Sequence, residues 1–168
     1  MILRPFTENS NNLSEFSYDD ADLRTLGITH NFVQVNQSFS HKNVLRGMHF
    51  QEVNPQGKLI QVISGSIFDV FVDLRRSSPS FGHYSSYCLN ASNKEFLWIP
   101  PGCAHGFLSL EESEIIYKVT EYRNVEGERT LLWNDKFINI EWPLINTEPI
   151  ISEKDKDGTL WRDLNYFD

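Results

Sequence analysis

From residue 32 to residue 133 the chain is a train of short β-type runs, broken by turn residues about every ten positions. The runs occupy 32–35, 44–46, 58–63, 67–73, 84–89, 96–99, 106–110, 115–119 and 130–133. A short strand buries one face and leaves its backbone edges unpaired, so evenly spaced strands of this kind close on one another as a sandwich or barrel. The run 67–73 alternates but is so dense in Ile, Phe and Val that burial on both faces is expected over part of it. Ser64-Gly65 is expected to be the tight turn leading into it. No segment before Asp155 reads as a long amphipathic helix. Ser152-Glu153-Lys154-Asp155 carries helix-start chemistry, with Ser152 able to cap and the acids suited to the first turn. A short terminal helix through Leu160, Trp161 and Leu164 is expected to follow.

With 168 residues, 40% apolar and 13% aromatic, the chain can bury roughly two-thirds of its unfolded surface without a metal or disulfide staple. One globular domain over 1–168 is expected. The longest apolar runs are interrupted by Asp69 and Asp73, which excludes a membrane-spanning helix. The start, Met1-Ile2-Leu3-Arg4-Pro5-Phe6, lacks the organisation of a secretory leader, and a cytoplasmic protein is expected. Cys88 and Cys103 are too few for a disulfide framework and read as buried small hydrophobes. A net charge of −8 argues against nucleic-acid binding, which needs a basic face. A small anionic ligand is still allowed, since a few convergent cations make a local positive pocket on an acidic protein.

Three polar side chains fall inside the strand-rich region: Arg46 and His49 in Leu45-Arg46-Gly47-Met48-His49-Phe50-Gln51, and His105 in Pro100-Pro101-Gly102-Cys103-Ala104-His105. Pro100-x-Gly102-x-x-His105 resembles the second motif of the cupin superfamily, and His49-x-Gln51 falls where the first motif has His-x-His. Lys58 stands roughly where those proteins carry a metal-binding glutamate. An ammonium there would repel a divalent cation, and Gln51 replaces an imidazole ligand. The resemblance therefore implies an all-β, cupin-like jelly-roll barrel, with a short N-terminal arm and a short C-terminal helical segment, whose cavity is adapted away from metal.

Longer motifs narrow the resemblance. They are Asn43-Val44-Leu45-Arg46-Gly47-Met48-His49-Phe50-Gln51, Gln56-Gly57-Lys58-Leu59, Phe68-Asp69-Val70-Phe71-Val72-Asp73-Leu74-Arg75, Ser78-Pro79-Ser80-Phe81-Gly82 and Leu97-Trp98-Ile99-Pro100. Further along come Ala104-His105-Gly106-Phe107-Leu108, Tyr117-Lys118-Val119-Thr120, Leu132-Trp133-Asn134-Asp135, Ile140-Glu141-Trp142-Pro143 and Ser152-Glu153-Lys154-Asp155. In this order, over 32–155, they resemble the dTDP-4-dehydrorhamnose 3,5-epimerase family. The resemblance implies epimerisation, with no cofactor, at C3 and/or C5 of a nucleotide-diphosphate 4-keto-6-deoxy sugar destined for surface polysaccharide. The 4-keto group acidifies the neighbouring C–H bonds, so a base removes a proton and an acid returns one to the opposite face. On this resemblance His49 is the proton acceptor, Asp155 fixes its imidazole, Lys58 stabilises the oxyanion and Tyr117 is the proton donor. On pattern alone Tyr117 reads as a core aromatic, Asp155 as a first-turn acid and Lys58 as a solvated edge residue.

The same resemblance assigns substrate contacts to Glu15, Gln34, Asn36, Arg46, Lys58, His105, Glu128 and Lys154, and implies a homodimer that exchanges N-terminal strands. Two positions depart from the family. Ser10 and Asn11 stand where it has an Asp-x-Arg-Gly element, so an arginine is missing, and Arg123 replaces the second of two adjacent tyrosines beside the substrate. Altered contacts around an intact catalytic set point to a different substrate, such as a GDP-linked or heptose-type 4-keto sugar. A cupin sugar 3,4-ketoisomerase and a non-catalytic sugar-nucleotide-binding cupin are the alternative readings.

Overall fold

The computed structural model of the protein describes residues 1–3, 19–144 and 148–168. Glu15, Ser10, Asn11 and the polar arm that carries them lie outside the described residues. The strands are β1 (Ile2–Leu3), β2 (Gln34–Ser40), β3 (Val44–Gln51), β4 (Lys58–Ser64), β5 (Ser66–Asp73) and β6 (Tyr84–Asn90). They continue with β7 (Phe96–Ile99), β8 (Cys103–Ser109), β9 (Ser113–Val119), β10 (Glu128–Thr130) and β11 (Ile150–Ile151). Among the described residues there are also two short α-helices, α1 (Asp20–Thr25) and α2 (Glu153–Lys156), and a 3-10 turn at Trp161–Asp163. One sheet has the order β1-β7-β4-β9-β2 and the other β10-β3-β8-β5-β6, with β11 added alongside β3. Consecutive strands switch sheets from β2 to β5 and again from β6 to β10, which gives a cupin-like jelly roll.

The apolar residues form three layers. Ile60, Val62, Ile67, Leu97, Ile99, Phe107 and Ile115 fill one end of the space between the sheets. Outside the six-stranded sheet, Met48, Phe50, Val70 and Val72 pack against Leu131, Ile138, Trp161 and Leu164 from the C-terminal segment. Outside the five-stranded sheet, Leu59, Phe96 and Trp98 pack against Leu3, Leu23 and Ile28. Both faces of β5 and β8 are therefore covered, and this explains the near-continuous apolar character of the run 67–73. Among the described residues no helix is long and apolar enough to cross a membrane.

Several local expectations are corrected. The 32–35 run is strand only from Gln34, and β2 then extends to Ser40. The 44–46 run continues to Gln51. Ser64-Gly65 does turn the chain, but β4 and β5 lie in different sheets, so it is a corner between layers and not a hairpin. Gly65 adopts φ +75°, and a Cβ there would strike the Glu112 carbonyl. The six-residue helix α1 appears where none was expected; Asp19 and Asp22 form a reciprocal capping box around its first turn. The terminal helix is a single turn capped by Ser152. Gly158 then presses against the Leu132 backbone, Thr159 bridges to Leu131, and a separate 3-10 turn at Trp161–Asp163 carries Trp161 into the core. Cys103 is buried as expected, with desolvation pushing its thiol up to about 12, but Cys88 is exposed on β6, the edge strand of its sheet.

Candidate active site

The end of the sandwich that the apolar core leaves unfilled is a cavity of about 820 Å³, within the range of small-molecule sites. Arg46, Lys58, Arg123 and Lys154 line it, against the acids Glu128 and Asp155. The described lining is thus cationic although the chain carries −8 overall. Every residue assigned to the site by sequence, apart from Glu15, lies on this lining.

The six-stranded sheet supplies the basic wall. Arg46 and His49 are three apart on β3 and would point to opposite faces of a regular strand. A register shift in the β3–β8 ladder between them changes this, and both line the cavity. The irregularity depends on glycine: a Cβ on Gly47 would lie 2.6 Å from Gly106 Cα and from the His105 carbonyl oxygen, and Gly47 has φ +116°. Arg46 then reaches across to the other sheet, where Nε donates to Ser40 Oγ at 2.9 Å and a terminal nitrogen to the Phe39 carbonyl at 3.0 Å.

Asp155 reaches His49 although more than a hundred residues separate them in sequence. Strand β11 pairs in parallel with β3, Ile150 with Val44 and Ile151 with Leu45, so the chain enters α2 beside Gly47. Asp155 Oδ1 lies 2.6 Å from His49 Nε2, and Oδ2 accepts the Gly47 N–H at 3.1 Å. Burial favours the neutral acid, but hydrogen bonds from His49 and Gly47 outweigh it and hold the carboxyl below its usual range. An ionised acceptor requires the proton on Nε2, which leaves Nδ1 as the basic nitrogen of His49.

A second imidazole–carboxylate pair lies behind the first. His105 is the β8 register partner of His49, and its Nε2 is 2.8 Å from Asp69 Oδ2. Desolvation raises the Asp69 carboxyl and lowers the His105 imidazole, while their mutual hydrogen bond works against both shifts. Sequence reading assigned Asp69 no function. The available signal was a carboxylate at the centre of an apolar strand, a placement that folded proteins tolerate only where it is paired.

The five-stranded sheet forms the facing wall. Tyr117 on β9 lies in register with Ile60 of β4 and Asn36 of β2, and Lys58 with Val119. All of these but Ile60 line the cavity. Tyr117 therefore faces His49 from the opposite sheet. Burial raises its phenol, with Arg46 and Arg123 opposing. Lys58 Nζ donates to the His49 carbonyl at 3.4 Å. Desolvation lowers its ammonium to about 8, against the pull of Asp69, so it is no solvated edge residue. At the rim, Glu128 Oε2 accepts from Arg123 at 2.7 Å and from Lys154 Nζ at 2.9 Å. Burial of this carboxylate is outweighed by the two cations, which hold it below its usual range.

Comparison with known proteins gives this geometry a family. The family model described as dTDP-4-dehydrorhamnose 3,5-epimerase matches residues 5–163. The chain belongs to the dTDP-4-dehydrorhamnose 3,5-epimerase family. The enzyme of that name from Neisseria gonorrhoeae is 51% identical over 131 residues, 77% of this chain. That match spans only 40% of the relative's own length. The crystal structure of the Bacillus anthracis epimerase with TDP and PPi bound is 42% identical, with a TM-score of 0.88 over 95% of this chain and 92% of that one. The dTDP-6-deoxy-D-glucose-3,5-epimerase of Legionella pneumophila in complex with dTDP-4-keto-L-rhamnose is 38% identical, with a TM-score of 0.89 over 98% and 88%. The two crystal structures share the architecture over nearly the whole of this chain, not only at the site motifs.

Proposed function

We propose that the protein epimerises C3 and C5 of a nucleotide-diphosphate 4-keto-6-deoxy sugar by proton transfer between the His49 wall and the Tyr117 wall of the cavity. The single observation that carries this reading is the Asp155–His49 pair on one sheet facing a phenol on the other. Nδ1 of His49 takes the proton α to the ketone, and Asp155 stabilises the imidazolium. The electron pair moves onto the C4 oxygen, where the Lys58 ammonium neutralises it. The Tyr117 hydroxyl then delivers a proton to the opposite face of the same carbon, and the ketone re-forms with the configuration inverted. Bulk water restores Tyr117 and removes the proton from His49.

Gln34, Asn36 and His105 provide hydrogen bonds to the sugar and nucleotide, while Arg46, Arg123 and Lys154 meet the diphosphate. Ligands in the structures of relatives favour a dTDP-linked hexose over a GDP-linked heptose. The strand β2 is the edge of its sheet and exposes Val35 and Phe39, which supports a homodimer in which a second copy covers that face. A charged sugar nucleotide does not cross a bilayer unaided, which supports a cytoplasmic reaction upstream of polysaccharide assembly. An NMR time course in heavy water with dTDP- and GDP-linked 4-keto-6-deoxy sugars tests the reading. Deuterium is expected at C3 and C5 of the dTDP-linked sugar with inversion of both centres. Absence of label with every substrate would refute enolisation, and label in the GDP-linked sugar alone would refute the nucleotide assignment.

Lys58 gives a pH dependence of defined sign. A lysine at about 8 is cationic below that value and neutral above it, so oxyanion stabilisation is lost as pH rises through about 8. The expected profile of kcat/KM falls on its alkaline side with a midpoint near that value. Lys58→Arg, whose guanidinium stays charged, should move this limb to higher pH even if the plateau is lower. An alkaline limb that the substitution leaves in place would assign it to another group.

A further inference from the structure

Gln51 stands two residues beyond His49 on β3 and is 4% exposed. Its amide is committed to backbone on both sides of Arg123. Oε1 accepts the Asn124 N–H at 2.8 Å, and Nε2 donates to the Tyr122 carbonyl at 3.4 Å and to the Asn54 carbonyl at 2.9 Å. Gln51 is also the β3 register partner of Glu128, whose Oε2 receives both Arg123 and Lys154. Two cations converging on a single carboxylate oxygen leave one positive charge unneutralised, an arrangement suited to one phosphate group.

We propose that Gln51 is a positioning residue that sets the span between the base His49 and the Arg123–Lys154 anion site at the rim. It rests on the proposed reading of Arg123 as a diphosphate contact. Both ends of the span hang from β3. Lys154 is delivered by the turn whose Asp155 grips His49, while Arg123 belongs to a separate loop, 120–127, whose far end meets β3 through the hydrogen bond from the Glu52 N–H to the Gly127 carbonyl. The side chain of Gln51 ties the Arg123 end of that loop to the strand that carries His49, by pinning the peptide on either side of Arg123. A nucleoside-diphosphate sugar has a fixed distance between its phosphates and the reacting carbons, so a fixed span admits it in one register. Loss of the pin lets the guanidinium drift from the phosphate while the base, held by Asp155, stays in place.

A double-mutant cycle tests this. Thymidine diphosphate affinity is measured by calorimetry for the full-length protein and for Gln51→Met, Arg123→Gln and the double variant. Turnover of the 4-keto sugar nucleotide and the thermal midpoint are measured alongside. Gln51→Met is expected to weaken thymidine diphosphate binding about tenfold and to raise KM similarly, with kcat changed far less. The double variant is expected to bind no more weakly than Arg123→Gln alone, because Gln51 acts through Arg123. A purely structural role would lower the thermal midpoint without this coupling. If Gln51→Met fails to fold, Gln51→Glu keeps the acceptor for Asn124, removes both donors and runs the same cycle. Losses that multiply in the double variant, unchanged affinity in the single variant, or no diphosphate binding by the unmodified protein would overturn the proposal. Diphosphate coupling without solvent exchange into any keto sugar would leave the positioning role standing and defeat the epimerase reading.

Discussion

Replacing His49 with alanine is expected to slow deuterium incorporation into the 4-keto sugar nucleotide by ~10²–10⁴, the usual contribution of a positioned general base. The size of the loss follows from the geometry. His49 Nε2 is held 2.6 Å from Asp155, and His105, the neighbouring imidazole, is committed to Asp69 at 2.8 Å on a different strand pair. Among the described residues no second imidazole stands ready at the same place. Thymidine diphosphate affinity checks that the pocket persists, since the cations at the rim do not depend on the imidazole. Added imidazole should restore part of the rate by filling the space left beside Asp155. An exchange rate equal to that of the unmodified protein would remove His49 from the base role and favour a non-catalytic sugar-nucleotide-binding protein.

The β architecture was legible because it rests on local pattern: short alternating runs bounded by Gly, Pro, Ser and Asn. Motif identity, not pattern, grouped His49, Lys58, Tyr117 and Asp155, and all four line one cavity. What was hidden arises from relations between distant segments. The irregularity between β3 and β8 that brings Arg46 and His49 into one cavity needs two glycine backbones, 47 and 106, at close approach, and no periodicity in either strand announces it. The parallel pairing of β11 with β3 is likewise invisible in a two-residue strand, although it brings the segment that carries Asp155 alongside β3. The continuous terminal helix failed for a related reason. Its apolar residues satisfy helical spacing, but burying Trp161 in the outer core stabilises more than further helical hydrogen bonds would, so the chain leaves the helix after one turn.

Gln51 shows how a residue can be read for its ligand chemistry while its structural role is missed. Its amide in place of an imidazole argued against a metal, and that argument concerned only ligand chemistry. Its three hydrogen bonds to loop backbone depend on where 122 and 124 fold, which the sequence does not specify. Asp69 was missed in the opposite way. Its type and its position in an apolar strand were visible, but its partner lies on another strand, and pairing makes a buried carboxylate tolerable.

Tyr117→Phe should separate proton removal from proton return and give a result that a general loss of activity cannot imitate. The phenol lies on the five-stranded sheet and His49 on the six-stranded one, so in the proposed mechanism the two act on opposite faces of the sugar. Without the hydroxyl, His49 and Lys58 still form the enolate. The imidazolium, once exchanged with heavy water, can return deuterium only to the face from which the proton left. The expected outcome is deuterium incorporation with retention of configuration, while formation of the inverted product falls by ~10²–10⁴. Because only one oxygen is removed from a partly buried ring, the fold should be retained, and cooperative unfolding near the original midpoint checks this. Equal loss of exchange and inversion would mean that Tyr117 is needed to form the enolate, and unchanged inversion would place the proton donor elsewhere in the cavity.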